Sequence, residues 1–167
     1  TELWKSDGTE AGTVMVKDVN SECTNTECTR TESSNPMYLA VAGDTLYFRA
    51  DDGTHGTELW KSDGTEAGTV MVKDIVPGTG SSGIGDSSYM FTAVGDTVFF
   101  DADDGTHGTE LWKSDGTESG TVMVKDLQPG IMGGNILDFA VMGDNLYFAS
   151  RDDVHGTELW KSDGTAV

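Results

Sequence analysis

The side chains best suited to chemistry in this chain are aspartates set beside glycines. Asp51 and Asp52 precede Gly53, and Asp101, Asp103 and Asp104 precede Gly105. Hard carboxylate oxygens at this short spacing suit Ca²⁺. Their order is not that of an EF-hand loop. Arg151 stands in the later copy of the stretch where Asp51 and Asp103 stand in the earlier two. The chain is thus expected to need no cofactor, with Ca²⁺ at these five residues as the one alternative. Four more aspartates, Asp7, Asp63, Asp115 and Asp163, each stand directly before Gly-Thr. An aspartate there accepts hydrogen bonds from the amides of its own turn, and glycine takes the left-handed backbone. These four are expected to be structural.

His55, His107 and His155 each precede Gly-Thr-Glu-Leu-Trp. Catalysis needs one asymmetric constellation, not equivalent copies. The histidines are therefore expected to be turn residues, bonding a carboxylate or carbonyl between adjacent units, and no catalytic residue is assigned. Gly78-Thr79-Gly80-Ser81-Ser82-Gly83 matches the glycine spacing of a phosphate loop. No helical pattern follows to supply a helix N-terminus, so it is expected to be a flexible connection. Cys23 and Cys28 are the only cysteines and lie in a Thr/Ser/Glu-rich stretch. A local disulfide is expected, and with it an oxidising compartment. Trp4, Trp60, Trp112 and Trp160 recur at equivalent positions. They are expected to pack between units, although exposed rings would stack on sugars.

These residues repeat because the whole chain repeats. Thr-Glu-Leu-Trp-Lys-Ser-Asp-Gly-Thr starts at Thr1, Thr57, Thr109 and Thr157. Three copies run on through Gly-Thr-Val-Met-Val-Lys-Asp to Asp18, Asp74 and Asp126. The expected division is a partial repeat over 1–18, full repeats over 19–74 and 75–126, and an incomplete one over 127–167. Length varies only between the Val-Lys-Asp end and the next apolar block, where Tyr38, Met90, Phe91, Ile131 and Met132 lie nearest the variable loops. Those loops are the expected place for any ligand contact.

No segment shows helical periodicity over ten residues; short β-branched and aromatic runs alternate with Gly and Asp instead. Thr97–Phe100, Thr109–Ser114 and Thr121–Lys125 read as strands, preceded by one at Met90–Val94 and a Gly95-Asp96 turn. The Val98-Phe99-Phe100 strand is apolar on both faces. The Glu-Leu-Trp strand alternates more, as a strand farther from the centre should. Four antiparallel strands in about fifty residues make one β-propeller blade, so the fold class is all-β. The alternative is an open stacked β array forming a filament. Both ends carry unpaired strand edges, which invite further pairing.

The sequence also resembles the bacterial ELWxxDGT repeat family, on Glu58 to Thr65 and the equivalent stretches from Glu2, Glu110 and Glu158. The resemblance implies a propeller-like β architecture and an extracellular or cell-surface, bacterial setting. It implies no agreed activity. The net charge of −19 argues against nucleic acid and against anionic lipid surfaces, and no run is long and apolar enough for a membrane span. The expected role is a structural or adhesive module that joins neighbouring repeats or self-associates head to tail. The competing role is a propeller that reads glycans or other ligands with its variable loops.

Overall fold

The computed structural model describes residues 1–22, 32–86 and 91–165. Among these residues the chain is all-β, without a helix, and no sheet closes into a barrel. Unit one is the hairpin β1 (Leu3–Lys5) and β2 (Val14–Lys17). Unit two is a four-stranded antiparallel meander: β3 (Met37–Ala42), β4 (Thr45–Asp51), β5 (Thr57–Ser62) and β6 (Val70–Lys73). Unit three repeats it with β7 (Thr92–Val94), β8 (Thr97–Asp103), β9 (Thr109–Ser114) and β10 (Val122–Lys125). Unit four has β11 (Leu137–Met142), β12 (Asn145–Asp152) and β13 (Gly156–Ser162).

Each meander follows from local chemistry. The first hairpin of unit three turns on Gly95, at a φ of +60°, between the paired Val94 and Thr97. Glycine at the first central position is what a type II′ hairpin requires. β-branched and aromatic residues then fill the strands. β8 runs on to Asp103, into the acidic stretch that the sequence reads as turn.

The units stack face to face. Phe48, Phe100, Leu59, Leu111 and Tyr47 are all buried, so β4, β5, β8 and β9 have both faces covered. This corrects the alternation expected of the Glu-Leu-Trp strand: Glu58, Leu59 and Trp60 are consecutive and all buried. A neighbouring unit covers one face, and the chain's own crossover loop occupies the glutamate on the other. Three apolar clusters form the core, one per seam. Leu3, Val16 and Val19 of unit one meet Phe48, Ala50 and Trp60 of unit two. The residues one repeat on, including Leu59, Val72, Ile75, Phe100 and Trp112, build the second seam. Leu111, Val124, Leu127 and Phe148 build the third. A lone four-stranded sheet has no such cover, so stability belongs to the stack.

Candidate functional site

Repeated polar residues flank the seams between units. The first component is the glutamate of Glu-Leu-Trp. Glu58 is fully buried and takes the amides of Ile75 and Val76 on its two carboxylate oxygens, at 3.0 and 3.3 Å. Glu110 takes those of Leu127 and Gln128 at 2.9 and 3.3 Å. Glu2 takes the amides of Val19 and Ser34, at the two ends of the longest crossover. One carboxylate thus ties the Glu-Leu-Trp strand of each of the first three units to the loop that leaves for the next unit. Burial pushes Glu58 and Glu110 up to about 7, against the pull of those amide bonds. An inner oxygen of the adjacent Asp74 or Asp126 makes no hydrogen bond to a described residue, and the charge of that carboxylate pushes in the same direction. The sequence signal for this clamp is an acid repeated directly before Leu-Trp in every copy of the strand, a signal the sequence analysis leaves unassigned.

The second component is a ladder of lysines. Lys5 donates to the Gly64 carbonyl at 2.8 Å and Lys61 to that of Gly116 at 2.7 Å; Lys113 donates to that of Gly164. Lys17 and Lys73 donate to the Thr69 and Thr121 carbonyls, both at 2.8 Å. Every one of these bonds crosses to the following unit. Lys73 also lies over the Trp112 ring, 5.9 Å from its centre.

The tryptophans divide. Trp60 and Trp112 are buried in the seams, and Trp160 packs partly buried against the third. Trp4 departs from the packing expectation, being 60% exposed. It holds the register position that Trp60 holds in unit two, opposite Met15 as Trp60 is opposite Met71.

The aspartates of the Asp-Gly-Thr turns accept from their own threonines. Asp63 takes the Thr65 amide at 2.8 Å and its hydroxyl at 2.7 Å, and Asp7, Asp115 and Asp163 do the same. The threonine hydroxyl, then its amide, hold these carboxyls below the ordinary value.

The acidic stretches are occupied by their own backbone. Asp51 accepts from the Gly53 amide and Asp103 from the Gly105 amide, both at 2.7 Å. Asp52 and Asp104 cap the following turn and hold the histidine ring three residues on at 2.8 Å. Asp101 is buried. Among the described residues, no three His, Cys, Asp or Glu side chains converge as a metal would require. The histidines bond within their turns, not between units: the preceding carboxylate is already in place on the same loop. That carboxylate raises His55, His107 and His155 above their ordinary value, by hydrogen bond first and by charge second.

The glycine-serine loop is tied down, unlike the flexible connection expected of it. Ser82 is buried and binds the Thr57 carbonyl through its amide and its hydroxyl, and Ser81 accepts from the Thr57 amide. Of the residues near the variable loops, Phe91 stacks on Phe100 with ring centres 5.5 Å apart. The Arg49 guanidinium lies 4.7 Å from the Tyr38 ring centre. Ile131 and Met132 are exposed. Met90, Cys23 and Cys28 lie outside the described residues.

No family model, curated protein or solved structure matches this chain at a significant level.

Proposed function

We propose that the chain is a non-catalytic structural module, working outside the cell, whose units stack in propeller-like order and join further units of the same repeat. The observation that carries this reading is the seam. It is built three times from the same residue types, with the same clamp and the same lysine bonds directed towards the following unit. Such quasi-one-dimensional stacking extends by adding units. It ends in a ring where the rotation closes and in a filament where it does not. Equivalent units serve scaffolding or adhesion, whereas catalysis needs one site unlike the others.

The faces left at either end match the two halves of that seam. Trp4 and Met15 are exposed on one, and Leu159 on the other is 76% exposed where Leu3, Leu59 and Leu111 are buried. The extracellular setting draws on the ELWxxDGT resemblance and on the Cys23–Cys28 pair. Light scattering across a micromolar concentration series tests the module reading. Growth of mass with concentration is expected, and a monodisperse monomer throughout would overturn it. Mass spectrometry without reductant tests the setting, with a bonded cysteine pair expected; two free thiols would remove that support.

A further inference from the structure

The free edge of β13 and the cavity beside it match the seat that a fourth strand occupies elsewhere in the chain. In units one to three that strand pairs with the Glu-Leu-Trp strand in one register: Trp4 opposite Met15, Trp60 opposite Met71 and Trp112 opposite Met123. Met71 packs against the cluster of Leu3, Val16, Val19, Phe48 and Trp60. Met123 packs against the equivalent cluster one repeat on. In the third seam the equivalent residues are Leu111, Val124, Leu127, Phe148 and Trp160. There they line an open cavity of about 280 Å³. β13 is the edge strand of its sheet among the described residues.

The polar groups around this seat repeat as well. Lys17 and Lys73 each donate to the carbonyl of the threonine that opens the next fourth strand. Lys125, their equivalent, is exposed at the cavity wall. Ser6, Ser62 and Ser114 each share a hydrogen bond of 2.7 Å with that threonine's hydroxyl, which also donates to the carbonyl of the Asp-Gly-Thr threonine. Ser162 and Thr165 line the cavity at the same two positions.

We propose that this edge binds an extended Thr-Val-Met-Val-Lys strand, antiparallel to β13, with the methionine opposite Trp160 and seated in the cavity. The occupant is a fourth strand of this same repeat type. The inference rests on the module reading only for where such a strand comes from; the seat itself is defined by register, cavity and hydrogen-bonding groups. Addition of a strand to an open edge draws affinity from backbone hydrogen bonds and specificity from the pocketed side chain.

The test uses the whole chain and a peptide with the sequence of residues 66–74, Glu-Ala-Gly-Thr-Val-Met-Val-Lys-Asp. Calorimetry should give saturable one-to-one binding, and the Trp160 indole resonance should move on titration. A peptide carrying Met71→Asp should bind at least tenfold more weakly. Lys125→Ala in the chain, a change at an exposed side chain, should weaken the parent peptide severalfold. The proposal fails if the parent peptide does not bind, if the Met71→Asp peptide binds as well, or if Trp160 is unmoved at saturation. Light scattering separates the two readings. Peptide binding to a chain that stays monomeric keeps the strand seat and removes self-assembly. Assembly without peptide binding does the reverse.

Discussion

At Gly68 the side chain is absent for a local reason. A Cβ built there would lie 2.1 Å from Oδ1 of Asp63, the carboxylate that closes the turn onto Thr65. Gly12 and Gly120 stand against Asp7 and Asp115 in the same way. Gly68→Ala should therefore destabilise the chain by roughly 1–3 kcal/mol, the usual range for forcing atoms into filled space. In an Asp63→Ala background the carboxylate is gone and the added methyl should cost much less. A double-mutant cycle by urea denaturation reads the difference directly. Equal costs in both backgrounds would show that the contact does not explain the glycine. The turn residues were legible in the sequence because aspartate, glycine and threonine act on neighbours two residues away. The clamp was not, since Glu58 meets Ile75 and Val76 across a strand and a turn. Nothing in the spacing of 17 or 18 residues marks them as partners.

The elements were read well where one strand's pattern is self-sufficient. The sequence reading of Thr109–Ser114 coincides with β9, and that of Thr121–Lys125 differs from β10 by one residue. It failed where burial comes from outside the strand, as at Glu58 beneath its own crossover loop, because a strand's own alternation does not record what covers it. The lysine ladder escaped for the same reason, its partners lying some fifty residues away. The clamp is an element-scale device, and one motif tests it in two environments. Glu58→Ala leaves the buried Ile75 amide without an acceptor, at a cost of about 1–3 kcal/mol, and the half-buried Val76 amide as well. Glu158, in the same motif, is exposed, and Glu158→Ala should stay within about 0.5 kcal/mol of the parent chain. Denaturant midpoints of the two variants check this, and similar losses at both sites would show that the motif, not the buried contact, sets the cost. Phe100→Ala, at the centre of the second seam, should cost about 3–5 kcal/mol by opening a core cavity.

For the molecule as a whole, several sets of groups give stability a common direction with pH. Glu58 and Glu110 move from an ordinary value of 4.5 to about 7 on folding, because burial disfavours their charge. A group raised in this way binds more protons folded than unfolded. Its contribution is complete below the unfolded value and is lost as pH rises through about 7. His55, His107 and His155 are raised above 6.5 by their carboxylate partners, so their contribution is likewise lost as pH rises through and above that value. Protonation also reduces the net charge of −19, whose self-repulsion opposes compactness. The turn aspartates act in the other direction, but lower: Asp7, Asp63, Asp115 and Asp163 are held below 3.8, so their contribution is lost only as pH falls beneath that value. Stability should therefore peak in mildly acidic solution and decline towards pH 8. Urea midpoints measured at intervals from pH 4 to pH 8 trace the curve. Glu58→Gln with Glu110→Gln removes the two titrating clamps. That variant should flatten the curve between the ordinary glutamate value and neutrality, leaving the histidine part above it. A parent chain that gains stability steadily from pH 5 to pH 8 would show that the clamps stay ionised when folded, with the amide bonds outweighing their burial.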